Sequence, residues 1–164
     1  MKHIMISIKP EWVAKILNGE KRWEIRLSCP EDECIVEIYC TKDKKKILTG
    51  TPFVSGSWKC FNNEAWSVQQ QQDVGIGKYN GKVVAKFLLN KSAKYKGLNV
   101  DTIREVSRNS KVPEFQIYEY SMFGERPIFA WFITGLKIYD KPKELAEFGL
   151  KRPFQSWGYL EDEV

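Results

Sequence analysis

An α+β fold with a mostly antiparallel, curved sheet or small barrel is predicted from three features of the sequence. Strand-like segments open and close the chain, with helices inserted between them. The regular strand–helix–strand alternation of a parallel sheet is absent. Apolar residues also switch between continuous or alternating runs and helical spacing from segment to segment. The length of 164 residues suits one domain, residues 1–164, around one core.

The elements follow in order. "HIMISI" (residues 3–8) is an apolar, β-branched run, expected as a buried strand. In "KPEWVAKILNGEK", Pro10 suits a first helical turn, where its missing N–H costs nothing. Trp12, Val13, Ile16 and Leu17 recur on one face, and Asn18-Gly19 marks the stop. "CIVEIYCT" (34–41) is a second strand, and the basic run Lys42–Lys46 a charged turn. "ILTGTPFVSG" is expected as irregular strand or loop, and residues 57–79 as a loop or a loop with a short helix. Its aromatic content, Trp58 and Trp66, suits either a lid over a cleft or a hydrophobic plug. "GKVVAKFLLNKSAKY" (81–95) is expected as one long strand. "VDTIREVSRNS" and "PEFQIYEYSM" are expected as helices, the first capped by Asp101 and the second begun by Pro113. Residues 126–140 form another long strand, bent at Gly135. "KPKELAEFG" is a short helix opened by Pro142, and "KRPFQSWGYLED" a closing strand.

Bulk properties narrow the function classes. The formal net charge is +5 and 13% of residues are aromatic. A mildly basic, aromatic-rich chain is compatible with a phosphate-bearing partner and with base stacking. No apolar run approaches the roughly 20 residues needed to span a bilayer. Lys9 and Pro10 interrupt the place where a signal-peptide core would lie, so a cytoplasmic location is expected. The four cysteines (Cys29, Cys34, Cys40, Cys60) lack CxxC spacing, and His3 is the only histidine. Buried structural thiols are expected, with no metal and no cofactor.

The charged stretch "NGEKRWEIRL" follows the helix stop. As a strand, it places Trp23, Ile25, Leu27 and the stem of Lys21 on one face and Arg22, Glu24 and Arg26 on the other. Alternation alone describes a solvated strand face as well as a cleft wall. In the tail, Gln155, Trp157 and Tyr159 alternate onto one face, preceded by Lys151 and Arg152. An aromatic, an amide and cations together suit stacking, edge recognition and phosphate contact with a nucleotide. Trp157 suits the core equally well. Lys9 borders the strand-to-helix corner, while Trp12 lies on the apolar helix face and is expected in the core.

"SIKPEWVAKILNGEKRWEIRL" resembles the opening of ASCH-domain proteins, whose Gly-x-Lys-x-x-Glu-x-Arg signature is matched by Gly19, Lys21, Glu24 and Arg26. "GKVVAKF", "IYDKPKELAEFG" and "KRPFQSWGYL" resemble the central strand and C-terminal pattern of a bacterial and prophage branch. The resemblance implies a PUA-like small barrel with flanking helices and a cleft beside the first helix that binds RNA. It makes Lys21, Glu24 and Arg26 cleft residues. Lys21 would be a phosphate contact or a base, Glu24 an acceptor for an exocyclic amine or imino group, and Arg26 the group that holds Glu24 ionised. Lys9, Arg152, Gln155, Trp157 and Tyr159 complete the expected binding set.

Some relatives are implied to hydrolyse N4-acetylcytidine and others to cleave RNA. In such an enzyme Lys21 and Glu24 would be the catalytic residues. The hydrolases carry Thr where this chain has Glu24, which removes their hydroxyl. Phe154 and Gly158 replace a Pro and a Cys of the tail pattern. A nucleic-acid-binding module is therefore the first expectation, with RNA, single-stranded nucleic acid or a nucleoside as partner. A nucleoside- or RNA-processing hydrolase and a regulatory protein of a mobile element are the alternatives.

Overall fold

The computed structural model describes residues 1–50, 57–62, 67, 69 and 78–161. Its strands are β1 (Lys2–Ile8), β2 (Trp23–Arg26), β3 (Cys34–Cys40), β4 (Lys46–Thr49), β5 (Lys59–Asn62), β6 (Lys82–Leu89), β7 (Ser92–Tyr95), β8 (Ile128–Phe132), β9 (Thr134–Lys143) and β10 (Trp157–Tyr159). Its helices are α1 (Pro10–Leu17), α2 (Val100–Ser110) and α3 (Glu114–Tyr120), with a 3-10 turn at Leu145–Phe148. The strands form a five-stranded sheet, β10-β1-β3-β6-β9, a three-stranded sheet, β2-β8-β7, and the β4-β5 ribbon. Pairing is antiparallel except between β1 and β3. The predicted α+β, mostly antiparallel character holds. The described strands pair as these three sheets and do not close into a barrel.

β1 occupies the second position of the large sheet, which explains its unbroken apolar run. Ile4, Ile6 and Ile8 join the core beneath α1, and Met5 faces a smaller cluster beneath the 3-10 turn. α1 buries Val13, Ala14, Ile16 and Leu17 against that core, with Trp12 half-buried at its margin. The stop at Asn18-Gly19 forms as expected, with Gly19 at φ +77. The Asn18 amide also clamps Trp58, donating to its carbonyl at 2.7 Å and accepting from its N–H at 3.0 Å. Trp58 is buried against Tyr79, ring centroids 4.9 Å apart. It is a plug in the core, whereas Trp66 lies outside the described residues.

Several expectations require correction. The strand expected over 81–95 is two, β6 and β7, which belong to different sheets. The strand expected over 126–140 likewise divides at Ile133 into β8 and β9. At both places the chain crosses between sheets, a step that local periodicity does not register. β5 falls within the segment expected as a loop. Asn99, not Asp101, caps α2, through a reciprocal exchange with Thr102. Pro142 lies in β9, and the expected helix after it is only the 3-10 turn.

The two departures in the tail meet each other. A Cβ placed on Gly158 would lie 2.5 Å from the Phe154 ring, so the bulk added at 154 occupies the space vacated at 158. We predict that Gly158→Ala destabilises the protein by about 1–3 kcal/mol, measured as a shifted urea midpoint. In a Phe154→Ala background the same substitution costs little, because the clash has gone.

A cleft built around a buried charge cluster

A cavity of about 380 Å³ opens between the ends of β1 and β2, α1, α3 and the tail. Gly19 turns the chain at the end of α1, and the backbone N–H groups of Glu20 and Lys21 both return to the Lys15 carbonyl. This curl brings Lys21 round to the same side as Glu24. Lys21 therefore does not share the Trp23–Ile25 face, as strict alternation over 21–27 implied, because β2 begins only at Trp23.

Lys21 is 2% exposed. Its ammonium donates to the Ser110 carbonyl at 2.8 Å, lies 3.6 Å from Glu24 Oε2 and sits 5.3 Å from the centre of the Trp12 ring. Burial lowers its pKa below the ordinary lysine value, against the opposing pull of Glu24. Glu24 is 6% exposed and lies between two cations, with Oε1 3.3 Å from Arg26 Nε. Arg26 donates from Nη2 to the Ser7 carbonyl at 2.8 Å and from Nη1 to Ser156 Oγ at 3.2 Å. Glu24 Oε2 and Arg26 Nε are buried without a hydrogen-bond partner among the described residues. Both lie within the ion cluster, Nε 3.3 Å from Glu24 Oε1 and Oε2 3.6 Å from the Lys21 ammonium, so their charge is balanced although hydrogen-bonding capacity is left over, a state that costs stability.

The other wall comes from α3, and here sequence reading missed residues. Val112, Gln116, Ile117 and Tyr120 line the cavity together with Ser7 and Thr41. Gln116 and Tyr120 stand one turn apart, a polar and an aromatic group on one helix face, and that spacing was the available signal. Burial raises the Tyr120 phenol pKa; Arg26 pulls it down and Glu24 adds to the rise.

Of the anticipated residues, Lys9, Lys21, Glu24, Arg26 and Gln155 line the cavity, and so does Trp12. Arg152 is exposed and does not line it. Trp157 packs edge-on against Trp131 at 5.6 Å and donates from Nε1 to Ser28 Oγ at 3.0 Å. It joins the margin of the core. Tyr159 faces a separate groove that also contains His3 and Tyr139. Arg22 points away from the cleft and bonds to Asn109 at 2.9 Å. The run Lys42–Lys46 is a turn organised by Asp43, whose carboxylate accepts from the N–H groups of Lys45 and Lys46; the Lys46 side chain pairs with Glu11. No group of metal-binding side chains occurs among the described residues. Among the described residues no helix is long and apolar enough to cross a membrane.

The fold matches that of crystallised ASCH proteins. The ASCH structure from Zymomonas mobilis is similar at a TM-score of 0.61 with 19% identity, covering 98% of this chain and 88% of that one. Two single-residue variants of it, one tyrosine-to-phenylalanine and one serine-to-alanine, match at TM-scores of 0.60 with 16% identity; each covers 98% of this chain and 91% or 89% of theirs. No family model matches the sequence, and no curated protein matches it significantly.

The depressed Lys21 pKa has a definite sign in stability. Between the folded pKa and the unfolded value near 10.5, the unfolded state binds more protons, so the Lys21 contribution to stability rises with pH. We predict that the stability of wild type relative to Lys21→Met increases as pH is raised through that interval. Paired urea titrations from neutral pH upward measure it, and a flat difference contradicts it.

Proposed function

We propose that this ASCH-type fold is a nucleic-acid-binding module whose cleft takes one base, plain or modified. The observation that carries the reading is the Glu24 carboxylate, held between Lys21 and Arg26 and lining a cavity of about 380 Å³. A carboxylate oxygen only accepts, so it selects an exocyclic amine or an imino N–H. The Arg26 guanidinium, which also lines the cavity, only donates and selects an acceptor. Adjacent donor and acceptor groups on one planar edge are the pattern of a nucleobase. Trp12 and Tyr120 offer aromatic surface at the margin, and Gln155 an adaptable amide. The PUA-like, RNA-binding character implied by the sequence resemblance supports the same reading, as does the net charge of +5.

A second reading rests on Lys21. A lysine with a lowered pKa beside a carboxylate, away from water, can act as a proton-transferring pair in hydrolysis of an N-acylated nucleoside or of RNA. Turnover of N4-acylated cytidines or RNA by wild type, but not by Lys21→Ala, would establish it.

For the binding reading, Glu24→Gln is expected to weaken affinity for single-stranded RNA by about 10- to 100-fold, the range of a lost hydrogen bond to a charged group. The loss persists at high salt, because it arises from base contact and not from phosphate neutralisation. Unchanged affinity of both Glu24→Gln and Lys21→Ala, at low and high salt, removes the reading.

A further inference from the structure

Next to the cleft, reached through Arg22 beside Lys21 and Lys111 beside Val112, four cations surround a second groove of about 580 Å³: Lys15, Arg22, Arg108 and Lys111. Glu20 is the one carboxylate on its lining. No ion pair joins any of the four cations to a described carboxylate. Two are placed by contacts. Arg22 is held to the end of α2 twice, its backbone N–H on the Asn109 carbonyl and its guanidinium on the Asn109 side chain, both at 2.9 Å. Lys15 lies 5.0 Å from the centre of the Trp12 ring, which Lys21 approaches to 5.3 Å. Lys111 ends α2 in the left-handed conformation, φ 62. Glycine fills that position at lower backbone cost, so the helix stop alone does not account for a lysine there.

We propose that this shelf carries the sugar–phosphate backbone of a single-stranded nucleic acid whose base enters the cleft, so that the ligand is a strand and not a free nucleoside. The proposal rests on the base-binding reading of the cleft and adds the neighbouring phosphates to it. Two of the three cations lining the cleft, Lys21 and Arg26, are held against Glu24 and backbone carbonyls, which leaves Lys9 at its edge as the cation without a described ion pair. The shelf has the opposite balance. A strand passing over Trp12 would place one base against Glu24 and its adjacent phosphates among Arg22, Arg108 and Lys111. Phosphates on a basic surface fix register without reading sequence.

The test is the double variant Arg108→Gln/Lys111→Gly, which removes two charges at positions where the new residues suit the backbone. Affinity for a labelled single-stranded RNA of about 12 nucleotides, and for DNA of the same sequence, is measured by fluorescence anisotropy across salt. Each single-strand phosphate contact contributes a slope of about −0.7 in log K against log salt. Loss of two contacts flattens the slope by about 1.4 and weakens binding roughly 25-fold at 0.1 M salt relative to 1 M. Flattening in whichever of the RNA and DNA arms binds supports the shelf. An unchanged slope overturns it, even where Glu24→Gln still weakens binding and the base reading stands. Wild type that binds the free nucleoside as tightly as the strand overturns it too. Flattening in the double variant with no effect of Glu24→Gln keeps the phosphate track and removes the base reading.

Discussion

The carboxylate of Glu24, set between Lys21 and Arg26 in the interior, is the constraint on which the site depends. Three charges removed from water are tolerable only when each has partners, because an isolated buried ion is too costly. Lys21 has the Ser110 carbonyl, and Arg26 has the Ser7 carbonyl and the Ser156 hydroxyl. Through these bonds the cluster ties the end of β1, the end of α2 and the tail to one strand of the smaller sheet. The walls of the cleft are thus positioned by the same interactions that neutralise its floor. What the cluster leaves without a hydrogen bond is small: one acceptor and one donor, Glu24 Oε2 and Arg26 Nε, each facing a charged partner.

The pieces of this arrangement were unequally legible in the sequence. The helix stop, the helical faces and the buried first strand all follow from short-range rules, and those held. Lys21, Glu24 and Arg26 stood out by charge density, though strict alternation put Lys21 on the wrong face. The three-residue coil between Gly19 and Trp23 was enough to rotate it. The contribution of α3 was only faintly legible, in the one-turn spacing of Gln116 and Tyr120. Gln116 and Tyr120 read as ordinary helix-surface residues until tertiary packing sets them opposite Glu24.

The sheet crossings were hidden for a related reason. Leu89 and Ser92 are joined by a short link, as are Phe132 and Thr134, and each pair belongs to two sheets. The hydrophobic pattern of a strand reports that a face is buried, not against which partner. Two strands in succession, covered by different cores, therefore look like one long strand. The tail raised the converse problem. Trp157 carried the composition of a stacking platform, but its indole N–H meets Ser28 while its ring meets Trp131. An aromatic with a satisfied polar edge and a covered face has little left for a ligand.

The bond from Arg26 to Ser156 spans 130 residues of sequence, and β10 pairs with β1 at the opposite end of the chain. Closing so large a loop carries an entropic barrier, which non-local contacts repay only once they form. During synthesis the wall of the cleft would emerge early and remain without its last anchor until the tail followed. Of the two bonds that hold the Arg26 guanidinium, the one to Ser7 is closed early and the one to Ser156 is among the last to form. A polypeptide at that stage has a nearly finished core and an unfinished recognition site, so its ability to bind would mature later than its ability to resist unfolding.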